Sequence, residues 1–189
     1  MEFEKIFTDR LILRKLTPED YQFIFENFPK QKIQEELGLH SDEEFLKEKQ
    51  KFEQGYSMYN RSLVHFQLIE KNSNIILGGA GFHNWNSVHF RAELGYHLHE
   101  EDSKRKGFMT EAVKPILEYG FQKMNLNRIE ACTGPENVAS LKILQKFGFK
   151  QEGYLRQHYH WKDQIFDSLI FSLLKTEFET KNSTGKGMM

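Results

Sequence analysis

Strand-like and helix-like segments follow one another in an order that leaves few folds open. Alternating apolar residues and β-branched or aromatic side chains predict strands, and apolar residues at helical spacing predict helices. The predicted strands cover residues 10–14, 63–69, 75–82, 92–98, 128–133, 149–161 and 165–174. The first predicted helix begins at residue 18, and the other three cover residues 42–59, 107–123 and 137–146. This order, β-α-α-β-β-β-α-β-α-β-β, predicts an α/β (α+β) sheet protein, part antiparallel and part parallel.

Helix start and stop signals support these boundaries. Thr17 is a suitable N-cap residue, with Pro18 at the first helical position and Asp20 where the acid of a capping box stands. Ser41 is followed by an acid at the same spacing and opens a second, highly charged helix. Gly148 ends the helix of residues 137–146 as a plausible C′ residue.

Composition excludes several classes of protein. Of 189 residues, 39% are hydrophobic and the net charge is −1, which argues against non-specific binding to nucleic acid or to anionic membranes. The only cysteine, Cys132, rules out an intramolecular disulfide. The N-terminus mixes charged with apolar residues, unlike a signal peptide, and no apolar run approaches the roughly 20 residues that span a bilayer. We expect a cytoplasmic protein with one domain over residues 1–178 and a flexible tail over 179–189.

The segment from 92 to 112, AELGYHLHEEDSKRKGFMTEA, combines a strand, a basic loop, a glycine and a helix start. Backbone N–H groups at such a helix start bind phosphate oxygens, and the helix dipole strengthens the attraction. Lys104, Arg105 and Lys106 place three cations just before Gly107. A solvated basic loop is the simpler interpretation of this segment alone.

A second segment, RIEACTGPENVASLKILQKFGF from 128 to 149, places a helix start directly after another strand. Asn137 begins this helix and Ser140 lies one turn in. Asn137 is also a common N-cap residue, and Ser140 is also tolerated in helices with its hydroxyl in solvent. Both interpretations stay open on the sequence pattern alone.

Together these segments resemble the GNAT superfamily of N-acetyltransferases, and specifically its RimJ/RimL-type branch. The pieces that carry the resemblance are TDRLILRKLTPED at 8–20, AELGYHL at 92–98, KGFMTEA at 106–112 and PENVASLKILQKFGFKQEG at 135–153. The resemblance implies a GNAT fold, with a mostly antiparallel twisted sheet that is splayed between its fourth and fifth strands and flanked by helices on both faces. It also implies acetyl-CoA as cosubstrate. We expect no metal, because no cysteine or carboxylate cluster neighbours the histidine pairs of the chain.

The resemblance also implies roles for individual residues. Glu93 matches a glutamate that serves some family members as general base, and Ser140 matches a serine near the thioester sulfur. Tyr159 is a distant second candidate for the acid. Backbone groups of residues 97–99 should pair with the pantetheine arm like an added strand. The N–H groups of residues 105–110 should face the pyrophosphate. The side chain at the start of the later helix, Asn137, should hydrogen-bond the pantetheine. These cofactor-binding residues are His97, Leu98, His99, Arg105, Lys106, Gly107, Phe108, Met109, Thr110 and Asn137.

Two departures from the family pattern bear on activity. In the phosphate loop the family has Gln/Arg-x-x-Gly-x-Gly/Ala, whereas this chain has Asp102 at the first position and Arg105 at the first glycine. Many members also place a tyrosine where this chain has Leu144. A glycine at the position of Arg105 would permit unusual backbone angles and a close approach to the pyrophosphate. These departures favour the alternative of a non-catalytic module that binds CoA or a partner.

The resulting function hypothesis is transfer of an acetyl group from acetyl-CoA to a primary amine by direct attack in a ternary complex. The acceptor is a protein N-terminus, such as that of a ribosomal protein, or a small amine. An RNA-binding protein with a basic loop is a third, weaker hypothesis. We expect no nucleic-acid or membrane partner and a monomer or homodimer.

Other features have simpler explanations. The pairs His97–His99 and His158–His160 have a spacing that suits zinc, but no neighbouring cysteine or carboxylate cluster completes a site. The run GGAG at 78–81 indicates a bulged or closely packed strand. Cys132 is most simply a small core residue.

Overall fold

The computed structural model describes residues 3–53, 63–161 and 163–184. Its strands are β1 (Lys5–Phe7), β2 (Leu11–Leu16), β3 (Val64–Glu70), β4 (Ile76–Asn86), β5 (Arg91–Leu98), β6 (Arg128–Thr133), β7 (Lys150–Trp161) and β8 (Gln164–Leu174). Its helices are α1 (Pro18–Asn27), α2 (Lys30–Leu37), α3 (Asp42–Glu53), α4 (Phe108–Gln122), α5 (Val138–Phe147) and α6 (Lys175–Thr184). A short 3-10 turn covers Glu101–Ser103.

The sheet is mixed and mostly antiparallel, as the sequence predicts. Its strands hydrogen-bond in the order β1-β2-β3-β4-β5-β6-β8-β7. Among the pairs whose register is described, only β5 with β6 is parallel, and the other five are antiparallel. No helix within the described part of the chain is long and apolar enough to cross a membrane.

The chain forms two compact units. The first contains Met1–Trp85 and Tyr96–Pro115, and the second contains Asn86–Gly95 and Ile116–Met189. The prediction of a single domain over residues 1–178 therefore stays a prediction.

In the first unit, β2 presents its alternate residues to the core, because side chains of a strand point to opposite faces in turn. Leu11 and Leu13 on this face have no solvent exposure, and neither has Leu16 at the end of the strand. Leu16 also belongs to a hydrophobic cluster with buried residues of α1, α2 and α3. These residues are Tyr21, Ile24, Ile33, Leu37 and Phe45. The predicted capping box at Thr17 is present, with both reciprocal hydrogen bonds to Asp20.

In the second unit, α4 and the strands share a core. Ile116, Leu117 and Ile129 are completely buried. Phe121 of α4 packs against Phe178 of α6, with ring centroids 5.0 Å apart. Gly148 adopts a left-handed φ of 88° and ends α5, as predicted.

Three elements differ from the sequence prediction. Strand β1 and helix α2 were not predicted, because the first is very short and the second follows α1 after only Phe28 and Pro29. Helix α6 extends through Thr184, into the segment expected to be a tail, because Phe178 anchors it on α4. The prediction for α3 is confirmed up to Glu53, and its expected continuation to residue 59 lies outside the described residues.

The glycine-rich run of β4 lies closer to its neighbours than any side chain allows. A Cβ atom added at Gly78 would lie 2.2 Å from the carbonyl oxygen of His97, and one at Gly81 would lie 2.1 Å from that of Val64. Both predicted explanations are thus confirmed, because the strand is closely packed and the pairing of β3 with β4 also shifts register between Leu68 and Ile69, opposite Gly78 and Ile76. These glycines set how near β4 approaches β3 and the end of β5.

We predict that Gly81→Ala lowers the free energy of unfolding by about 1–3 kcal/mol, because backbone must move to admit the methyl group. Gly134→Ala is the matched control, since a Cβ there meets nothing within 4 Å. The control should leave stability unchanged or raise it by up to about 1 kcal/mol. Urea unfolding measures both, and equal stabilities would contradict the close approach.

Candidate active site

The start of helix α4 has the backbone geometry of an anion-binding turn. Arg105 has a left-handed φ of 62° and Gly107 one of 84°. Helix α4 then begins at Phe108, and its first N–H groups lack acceptors within the helix. Left-handed residues followed by a helix N-terminus direct successive N–H groups toward one point, where they can hold phosphate oxygens.

The conformation of Arg105 explains why the family pattern has glycine at this position. A left-handed φ costs a non-glycine residue about 1–2 kcal/mol, whereas glycine adopts it freely. Arg105 therefore keeps the glycine-like backbone despite its side chain. Lys104, one of the three cations before Gly107, is paired with Glu101.

A carboxylate that the sequence analysis missed clamps this loop. Glu111, in the first turn of α4, accepts hydrogen bonds from the Thr8 hydroxyl at 2.6 Å, the Arg10 N–H at 2.7 Å and the Arg10 Nε at 2.7 Å. Arg10 also donates from Nη1 to the carbonyl oxygen of Lys106 at 3.0 Å. Its guanidinium lies 4.4 Å from the centroid of the Phe108 ring. Through these bonds, the segment before β2 holds the loop that precedes α4 in place.

No short-range pattern could have revealed this clamp, because about a hundred residues separate its partners. Burial raises the pKa of Glu111, but hydrogen bonds from Thr8 and Arg10 outweigh that effect and hold it below the ordinary value. The carboxylate is therefore ionised at neutral pH. Its negative charge also lies in the first helical turn, where the helix dipole stabilises it.

The second candidate segment, at the start of α5, is built around Asn137. Its Oδ1 accepts the N–H of Ser140 at 3.1 Å, so Asn137 is the N-cap of the helix. Asn137 is solvent-exposed, and its amide NH₂ group is the part that remains available as a donor to a ligand.

Ser140 is buried, with 8% exposure, so the alternative of a hydroxyl pointing into solvent is wrong. Leu144, at the position where many relatives have tyrosine, is 1% exposed and belongs to the core. Tyr159 is 54% exposed on β7, which excludes a core-packing role for its side chain.

Glu93 lies on β5, half-buried, beside the half-buried Cys132 of β6. The Cys132 thiol hydrogen-bonds the Glu93 carboxylate. Burial, followed by the charge of Glu93, raises the pKa of Cys132 to about 11, so the thiol stays protonated and donates. Cys132 is thus a neighbour of the candidate base rather than a core residue. The parallel register, with Glu93 beside Glu130, creates this contact, and it cannot be read from the sequence alone.

The predicted residues 97–99 lie at the end of β5, where His97 and Leu98 are the last two residues of the strand and His99 follows it. His97 and His99 are close, with ring centroids 5.1 Å apart, and Leu98 lies between them. The His99 N–H donates to the carbonyl oxygen of Leu77 at 2.9 Å. Within the described residues, no group of three or more His, Cys, Asp or Glu side chains is arranged to hold a metal ion.

Comparison with known proteins agrees with this arrangement. Residues 10–150 match the model of the acetyltransferase (GNAT) domain. The uncharacterized N-acetyltransferase p20 of Bacillus licheniformis is 33% identical over 93% of this chain and 98% of its own. The ribosomal protein uS5-alanine N-acetyltransferase of Escherichia coli is 30% identical over 57% of this chain and 58% of its own. A GNAT-family acetyltransferase structure from Bacillus anthracis covers 92% of this chain and 100% of its own, with 25% identity and a TM-score of 0.64.

The chain is therefore an acyltransferase of the GNAT class. Membership of this class supports acetyl transfer to an amine. It belongs to the GNAT acetyltransferase family, and its relatives are consistent with a RimJ/RimL-like branch.

We predict that Arg105→Gly raises the free energy of unfolding by about 0.5–1 kcal/mol. Relief of the left-handed backbone contributes about 1–2 kcal/mol, and the greater freedom of glycine in the unfolded chain offsets part of it. Lys104→Gly is the matched control, because Lys104 has an ordinary φ of −74° and should lose stability instead. Urea unfolding of both variants provides the comparison, and a loss for both would contradict the strained conformation.

We predict that Glu111→Gln lowers the free energy of unfolding by about 1–3 kcal/mol at pH 7, because charge-assisted hydrogen bonds are lost. The folded-state pKa lies below the ordinary 4.5, so this stabilisation is present above that value and disappears as pH falls through the folded pKa. Unfolding curves from pH 7 to 3 should show wild type and variant converging in acid. A constant difference across this range would exclude an ionised clamp.

Proposed function

We propose that this protein transfers an acetyl group from acetyl-CoA to a primary amine by direct attack in a ternary complex. The observation that carries the proposal is the turn at the start of α4, where Arg105 and Gly107 hold the left-handed angles of an anion-binding loop. Such a loop suits the pyrophosphate of CoA through N–H groups of residues 105–110. Family membership supports the same donor.

Acetyl transfer to an amine needs a proton acceptor and a proton for the departing thiolate. We assign Glu93 as the base that takes a proton from the attacking nitrogen, since its carboxylate is held in place by the Cys132 thiol. Ser140, buried near the start of α5, is the group that donates to the sulfur directly or orders a water that does so. Asn137 presents its amide to the pantetheine arm, which lies along residues 97–99 like an added strand.

The acceptor is a primary amine, and the relatives favour the amino terminus of a protein. The Escherichia coli relative is named for the alanine of ribosomal protein uS5. We therefore propose a peptide with a free N-terminal residue as the first acceptor to test, with a small polyamine as the second.

We predict that Glu93→Gln lowers turnover by at least about 100-fold, the usual contribution of a general base, while acetyl-CoA binding stays within twofold. Free thiol release with an alanine-initiated peptide and with spermidine measures turnover, and calorimetry measures binding. Glu118→Gln on α4 is the control and should retain both properties.

Unchanged turnover in Glu93→Gln would remove Glu93 as the base. Acetyl-CoA binding without turnover of any amine by the wild-type protein would favour a non-catalytic CoA-binding module instead.

A further inference from the structure

Four histidines from three segments of the first unit lie in series. The ring of His40 contacts that of His99, with centroids 5.9 Å apart, and His99 contacts His97 at 5.1 Å. His97 in turn stacks on His65 of β3, with centroids 6.5 Å apart and ring planes 23° apart. The side chains of these residues have no role in the reaction as described above.

The inner end of this series is held rigidly. The Tyr21 hydroxyl lies 2.8 Å from Nδ1 of His65. The His65 ring lies directly over Gly79, where an added Cβ would be 2.1 Å from Nε2. A side chain at residue 79 would therefore displace His65, so the glycine provides the space that the ring occupies. His97, at the other side of His65, keeps its solvent exposure.

Burial lowers the pKa of three of these imidazoles, those of His65, His97 and His99, and so favours their neutral form. Burial lowers the pKa of His65 to about 4, and burial also raises the pKa of Tyr21, so that pair carries no charge. Partial burial, followed by the proximity of His99, lowers the pKa of His97. Partial burial and His40 lower the pKa of His99. Other charged groups that act on these rings and on Tyr21 are Arg14, Asp20, Glu44, Glu48, Lys51 and Glu100.

The proposed reaction must dispose of two protons. The α-amine of a peptide has a pKa of about 7.7–8.0 and an alkyl amine has one of about 10.4, so either acceptor is mostly ammonium at pH 7, and ammonium has no lone pair for attack. One proton must leave before the nitrogen attacks the thioester carbonyl, and a second must leave as the C–N bond forms. The thiolate released when the C–S bond breaks takes up one proton, so each turnover releases one proton to solvent. Glu93 accounts for only one of these two transfers.

We propose that His97 accepts the first proton from the ammonium form of the acceptor and that His99 and His40 carry it to solvent. Tyr21 and His65 act as positioning residues that hold the His97 ring. This inference rests on the proposed function, because it assigns a second base for the same reaction.

The arrangement of the rings supports such a route. A proton acceptor must be neutral and within hydrogen-bond reach of its donor, directly or through one water. His97 is neutral and solvent-exposed, and it lies on the part of β5 proposed to pair with the pantetheine arm. His99 is the next ring in the series, and His40 is solvent-exposed at its outer end.

The direct test is His97→Gln, which keeps the backbone groups proposed to bind the pantetheine. At pH 7 we expect turnover of spermidine to fall about 100-fold, and that of the peptide to fall less because part of its α-amine is already free, while calorimetry shows acetyl-CoA affinity within twofold of wild type. Turnover should recover as pH rises toward the pKa of the acceptor amine, because free amine needs no first base. A purely structural role for His97 would not produce that pH profile.

Chemical rescue supplies a second readout. In His97→Ala, added imidazole should restore part of the lost turnover, because a free base can enter the space that the ring vacates. His89→Gln, in the turn before β5, is the control and should behave as wild type with and without imidazole. Gly79→Ala should also lower turnover, because displacement of His65 by the added methyl group releases the His97 ring.

The outcomes separate this inference from the proposed function. Turnover of His97→Gln within about twofold of wild type at pH 7, with Glu93→Gln still inactive, would overturn the histidine route alone. Loss of turnover that neither alkaline pH nor imidazole relieves would also overturn it, since that indicates a structural effect. Failure of the wild-type protein to acetylate either acceptor would overturn both proposals together.

Discussion

The close approach of β4 to its neighbours is the constraint on which the first unit depends. Gly78 and Gly81 bring the β4 backbone so near to β5 and β3 that a methyl group cannot be inserted at either position without movement. Gly79, between them, makes room for the His65 ring. Three properties of the fold follow from this run: the spacing of the strands, the position of the end of β5, and the burial of one imidazole against Tyr21.

A second constraint acts at the start of α4, where an ionised carboxylate fixes a loop with unfavourable backbone angles. Glu111 binds Thr8 and Arg10, and Arg10 in turn binds the carbonyl oxygen of Lys106. These bonds hold the chain that directly follows Arg105, which retains a left-handed conformation that its own side chain disfavours. The bonds made by the N-terminal segment thus maintain a strained backbone with the geometry of an anion-binding turn. Strain of this kind, stabilised by the surrounding structure, is typical of binding loops.

Local signals in the sequence predicted most of the elements, because caps and periodicity depend only on nearby residues. The capping box at Thr17 and the left-handed Gly148 are examples. The candidate site was predicted mainly through the resemblance to a family, and those residue roles remain predictions. Sequence could not reveal the Glu111 clamp, the contact of Cys132 with Glu93, or the histidine series. Each of these depends on strand register or on partners far apart in the chain.

Calorimetric titration of acetyl-CoA into the protein, with desulfo-CoA and ATP as controls, tests the central claim most directly. The claim is that the turn from Arg105 to Gly107 binds the pyrophosphate although it lacks the first glycine of the family pattern. The account predicts micromolar binding of acetyl-CoA and of desulfo-CoA, with much weaker binding of ATP, because the pantetheine arm contributes along β5. No binding at millimolar acetyl-CoA would contradict the account and would show that Asp102 and Arg105 close the site.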